Sequence, residues 1–121
     1  MRFAGYAAVF DKPDTGGDIV RRGAFVRTLG SKAPVGLLNM HDKAQPIGSI
    51  ERLEEDRHGL RVIAKLDEGV GVSPGAGLSF GYRVRQSRKG TYRELLDLDL
   101  MEVSVVTHPM QPLARVLRVA E

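Results

Sequence analysis

Between residues 60 and 66 the chain alternates, with Leu60, Val62, Ala64 and Leu66 on one side and Arg61, Ile63 and Lys65 on the other. A period of two predicts a strand with one buried face. PIGSIERLEED, just before it, repeats the pattern less cleanly, opposing Ile47, Ser49 and Glu51 to Gly48, Ile50 and Arg52. With DRHG between them the two segments predict a hairpin. FAGYAAVF (3–10) is an apolar run stopped by the Asp-, Pro- and Gly-rich DKPDTGGD, so a strand and then a loop are expected. In IVRRGAFVRTLG, IVR predicts a short strand and AFVRTL about two helical turns, with Gly23 ahead and Gly30 placed as a C-cap. PVGLLNM reads as a buried strand. DEGVGVSPGAG (67–77) carries four glycines and a proline, which disfavours regular structure until LSFGYRVRQ opens another strand. After the turn SRKG comes the long strand-prone stretch TYRELLDLDLMEVSVVTHP, and PMQPLARVLRV is expected to form a short helix at the end.

Many short strands with one or two short helices predict a mainly β protein. A closed antiparallel β-barrel is the expected architecture, because closure removes the edges that so many strands expose. At 121 residues, 42% of them hydrophobic, the chain is expected to be a single domain over 1–121 with a compact core. Zero Cys excludes a disulfide framework, a thiolate nucleophile and a thiolate metal site, and fits a reducing compartment. No apolar segment approaches the ~20 residues that span a bilayer, and MRFAGYAAVFDK lacks an apolar signal core. The net charge of +3 permits acidic partners without demanding nucleic acid. No His pair has metal-ligand spacing and GVGVSPGAG lacks the Lys-Ser/Thr of a phosphate loop, so no cofactor and no metal are expected.

Three polar residues stand at or in strand-like runs: His41 after GLLNM, Ser79 in GAGLSFGY and Glu102 in LDLMEVSVV. Glu102 is the least expected, since a buried carboxylate costs several kcal/mol unless paired. A His oriented by a carboxylate is the general base that activates a Ser hydroxyl, so a Ser-His-acid set is available. Plainer readings compete with it. His41 terminates a strand, His58 sits in a solvated turn, Ser79 marks a tight Gly-lined bend, and Glu102 alternates out to solvent on an edge strand. His108 in THPMQP is a rival base. Ser104 is the rival nucleophile, on the same side of its strand as Glu102 by period two.

In order, FAGYAAVFD, GGDIVRRGAF, LLNMHD with QPIGSI, GLSFGYRV and LMEVSVVTHPMQPLARV resemble the successive blocks of the tailed-phage prohead maturation protease family, related in fold to the herpesvirus assemblins. The likeness covers nearly the whole chain and lies in the order of five blocks rather than in any one of them. It implies an assemblin-like fold and a serine endopeptidase, with His41 as general base and Ser79 as nucleophile. The assemblins place a His at the start of the strand resembling EVSVV, where this chain has Glu102, which takes the role of orienting acid. By the same analogy, backbone N–H groups near Met110 to Ala114 are expected at the oxyanion. The implied work is cleavage of scaffold segments, and of the protease itself, inside an assembling prohead in the bacterial host cytoplasm. The implied partners are the major capsid protein with its scaffolding segment or a separate scaffold protein; a homodimer or higher oligomer is compatible, a membrane or specific nucleic acid is not expected. Family members usually carry a helical segment where this chain has only DEGVGVSPGAG, and Arg22 stands where a Pro is common. The alternative is a capsid- or scaffold-binding module of the same fold without strong catalysis. YRVRQSRKGTYR, with Arg83, Arg85, Arg88, Lys89 and Arg93, is read as the solvated face of a hairpin, or as a docking stretch for an acidic scaffold segment.

Overall fold

The alternating segment becomes β5 (Gly59–Leu66), and Leu60, Val62, Ala64 and Leu66 are all buried. It lies between β1 (Arg2–Val9) and β4 (Asp42–Glu55), antiparallel to both. The β4–β5 hairpin turns at DRHG, where Asp56 Oδ1 accepts the N–H groups of His58 and Gly59. This computed structural model describes all residues, 1–121. The other elements are β2 (Asp18–Val20), α1 (Val26–Ser31), β3 (Gly36–Asn39), β6 (Gly77–Arg88), β7 (Arg93–Val106) and β8 (Val116–Ala120). The helix ends at Lys32, which takes the left-handed C-cap expected of Gly30. No helix is long and apolar enough to cross a membrane.

One sheet contains every strand, in the order β2-β7-β3-β4-β5-β1-β8, with β6 paired to β7. The long β7 holds β6 antiparallel along one edge. Its other edge is shared by β2 at Arg93–Leu95 and β3 at Glu102–Val105, both parallel to it. The gap between these two partners is filled from α1 and its approach. Leu98 N–H donates to Ala24 O, Thr28 Oγ1 donates to Leu98 O at 3.0 Å, and Leu100 N–H donates to Thr28 Oγ1 at 3.1 Å. A buried threonine thereby takes the place of a missing strand partner. Beneath the sheet one core joins Phe3, Phe25, Leu37, Leu60, Leu98 and Val103, with the Phe25 ring edge-on to Phe80 at 5.3 Å.

Two expectations are corrected. The sheet is not a closed antiparallel barrel: β2 and β3 run parallel to β7, and no ladder joins β6 to β8 or β1. The two ends of the sheet meet only at an isolated bridge, Gly77 to Arg115, with Gly75–Leu78 bonded to Ala114–Val116. The β6–β7 ribbon changes register at three points, and each such irregularity adds twist that carries β6 away before a second ladder forms. The helix expected over PMQPLARVLRV is instead a turn followed by β8, antiparallel to β1 with Phe3 opposite Val119. The open edge of β1 offers N–H and C=O groups that a strand satisfies and a helix does not.

Candidate active site

His41 does not end the β3 strand; it sits in the turn beyond it. Asn39 pairs with Asp42, so only Met40 and His41 connect β3 to β4, with φ of 52° and 60°. A two-residue hairpin with both central residues at positive φ is the primed type that normally selects Asn-Gly. For two L-residues with long side chains it costs roughly 1 kcal/mol or more each. β7 holds the turn in this state. Met40 N–H donates to Val105 O at 2.9 Å, and His41 N–H donates to Ser104 Oγ at 3.0 Å.

The same strand supplies the carboxylate. Along β7, Leu98 and Leu100 face the core, and strict alternation would send Glu102 inward with them. The register with β6 passes from Leu100–Tyr82 to Glu102–Gly81 and skips Met101. This bulge inverts the phase, so Val103 takes the core face while Glu102 and Ser104 take the other. Glu102 Oε1 lies 2.5 Å from His41 Nδ1, and Glu102 Oε2 accepts the Ser104 hydroxyl at 2.6 Å. Both carboxylate oxygens are thus partnered, which is what makes a side chain only 12% exposed tolerable beside an imidazole 44% exposed. Gly81, opposite Glu102, leaves the room: a Cβ there would lie 2.4 Å from Glu102 Oε1.

Ser79 lies directly opposite Ser104 on β6, and cross-strand partners project to the same face with Cβ atoms roughly 5 Å apart. Ser79, Gly81, Glu102 and Ser104 therefore form one patch, overhung by the His41 turn. No hydrogen bond joins Ser79 Oγ to the imidazole, and such contacts are often long without substrate. A small cavity of about 40 Å³ adjoins Ser79, walled by Ala7, Asp14, Phe80, Tyr82 and Met110. The segment 109–114 passes beside the start of β6, where Leu78 N–H donates to Ala114 O at 2.9 Å and Pro109 packs against Gly77. The largest groove, about 420 Å³ between α1 and β4, touches none of these residues.

The two rival histidines fall elsewhere, and the rival serine lies within the patch. His58 sits in the β4–β5 turn, edge-on to Tyr6, and His108 is exposed in the bend after β7. Ser104 is fully buried with its hydroxyl committed in both directions, so it is not placed to attack a substrate. Of the basic ribbon, Arg85 pairs with Asp99 and Arg88 with Glu94, leaving less free charge than the sequence count suggests. No group of three or more His, Asp or Glu side chains converges on a point that could hold a metal ion. What sequence reasoning missed is the clearance at Gly81 and the two hydrogen bonds of Ser104. The available signal was the spacing S-x-G, which puts a side-chain-free position beside Ser79 on the same face.

Residues 1–121 match the family model described as caudovirus prohead serine protease. The chain is 38% identical over 69 residues to the prohead protease of Enterobacteria phage HK97; that stretch is 55% of this chain and 31% of that protein. Among solved structures it is similar to KSHV protease in complex with a hexapeptide phosphonate inhibitor. That match has a TM-score of 0.64 and 10% identity, and covers 99% of this chain and 65% of the other. The chain thus spans less than two thirds of each relative, and the structural likeness concerns the fold.

Proposed function

The chain belongs to the caudovirus prohead serine protease family, and on that premise we propose that it is a serine endopeptidase with Ser79 as nucleophile, His41 as general base and Glu102 as orienting acid. The observation that carries the reading is the 2.5 Å contact of His41 Nδ1 with Glu102, on the face of the sheet that also bears Ser79. A carboxylate at Nδ1 fixes the tautomer that leaves Nε2 free to take a proton. Ser79 Oγ attacks the scissile carbonyl as its proton passes to Nε2, and the C–N bond breaks as that proton moves to the departing amine. Water then enters by the same route in reverse and releases the acyl group. Glu102 holds the ring and stabilises the imidazolium as it forms. Backbone N–H groups of the 110–114 segment, which runs beside β6, are the proposed oxyanion donors.

The substrates in this reading are the scaffolding segment of the major capsid protein or a separate scaffold, cut inside the prohead in the host cytoplasm. The test is a fluorophosphonate, whose phosphorus bonds to an activated serine oxygen as fluoride leaves. A purified chain that gains the adduct on Ser79, and fails to as His41→Ala, supports the protease. A chain that stays unmodified while still binding capsid protein is a binding module of the same fold.

A further inference from the structure

We propose that Ser104 is a positioning residue that sets the geometry of the His41–Glu102 pair. This inference rests on the protease reading of the site. A serine with no exposure, between Val103 and Val105 in a strand, occupies a place where an apolar side chain is the ordinary choice. Its hydroxyl is used twice. It accepts the main-chain N–H of His41 and donates to Glu102 Oε2, so one oxygen bonds both the backbone that carries the imidazole and the carboxylate that orients it.

Three features make this more than a satisfied buried hydroxyl. A hydroxyl has one proton, and spending it on Oε2 leaves Oε1 to His41 Nδ1, so the two carboxylate oxygens have separate tasks. The residue it holds by its N–H has φ of 60°, a conformation that persists only where its surroundings over-determine it. Opposite Glu102, Gly81 presents no side chain, so nothing else on β6 fixes the carboxylate from that side. Two main-chain N–H groups of the turn are held by β7, Met40 N–H by Val105 O and His41 N–H by Ser104 Oγ, and of these two acceptors only Ser104 also touches Glu102.

The test compares the full chain with Ser104→Ala, Ser104→Thr and, should the alanine variant not fold, Ser104→Cys, which keeps the volume and gives up strong hydrogen bonds. Two quantities are read: the second-order rate of fluorophosphonate labelling at Ser79, and the low-field proton resonance of the His41–Glu102 hydrogen bond, assigned by its absence in His41→Ala. The expected result is labelling slower by on the order of 10- to 100-fold in Ser104→Ala with the resonance lost or shifted. The melting temperature of Ser104→Ala is expected to fall by several degrees, since the His41 N–H and Glu102 Oε2 each lose a hydrogen bond, while Ser104→Thr is expected to restore both readings. Parental labelling with an intact resonance in Ser104→Ala overturns the proposal. So does a folded Ser104→Thr as slow as the alanine variant. If the parent itself does not label, the protease reading fails and the resonance alone decides: loss in Ser104→Ala and return in Ser104→Thr keep the positioning role, and persistence in Ser104→Ala removes it.

Discussion

Gly81→Ala adds one carbon and nothing else, and the site geometry says where that carbon goes. Its Cβ would stand 2.4 Å from Glu102 Oε1, 3.0 Å from Cδ and 3.2 Å from Cγ, whereas ordinary contact begins at 3.4 Å. The carboxylate end must therefore retreat by about 1 Å, and Oε1 is the oxygen that meets His41 Nδ1. A shift of that size costs about 100-fold in rate where a catalytic group is concerned. A charge-assisted hydrogen bond worth roughly 1.5–3 kcal/mol gives about 10- to 150-fold, a range that includes this value, since each 1.4 kcal/mol is tenfold. Stability should move little. Gly81 has no positive φ, so alanine suits its backbone, and the ~0.5–1 kcal/mol gained by restricting the unfolded chain offsets part of the local strain. The assay is the rate of Ser79 phosphonylation beside a thermal melt. A folded Gly81→Ala that reacts within about twofold of the parent would refute the claim that Glu102 acts from this position.

Glu102→Gln should keep the fold and lower Ser79 reactivity by on the order of 10³- to 10⁴-fold, because an amide can present the wrong group to Nδ1 and select the wrong tautomer; reactivity near parental would assign the acid elsewhere. Met40→Gly should relieve a left-handed residue in the β3–β4 turn and raise stability by about 1 kcal/mol, read as a higher melting temperature, with a lower one counting against the strain argument. Hydrogen bonds from Arg88 and then Arg21 lower the Glu94 carboxyl from 4.5 to about 2. A carboxyl lowered on folding contributes stability that is full above pH 4.5 and fades as pH falls towards 2. Melting temperatures of parent and Glu94→Gln should therefore differ at neutral pH and converge by about pH 2; a constant gap would contradict the linkage.

Strands whose burial follows a simple period were legible in the sequence. β5 shows its core face as Leu60, Val62, Ala64 and Leu66, and the apolar run 3–10 becomes β1 with little change. Glu102 was legible as an anomaly, a charge among Met101, Val103 and Val105. What orients it was not, because the inversion depends on Met101 being passed over in the pairing with β6, and a bulge leaves no period of its own. The end of the chain was misread for a related reason. PLARVLRV spaces its apolar residues acceptably for a helix, but the open edge of β1 decided the matter, and Leu117 is left 63% exposed on β8. Closure was misjudged because counting strands does not reveal that β7 uses one edge for two short parallel partners, β2 and β3. Ser104 stood out as polar and correctly phased with Glu102. Only its two hydrogen bonds distinguish a buried tie from a nucleophile.

On the proposed reading, Ser79 and His41 cut capsid-associated protein. The most direct test is co-expression of this chain, Ser79→Ala and His41→Ala with the cognate capsid protein and scaffold, followed by the intact mass of the particle's subunits. Trimmed subunits are expected with the parent chain and full-length ones with either variant. Subunits left whole by the parent, or trimmed equally by Ser79→Ala, would contradict that reading.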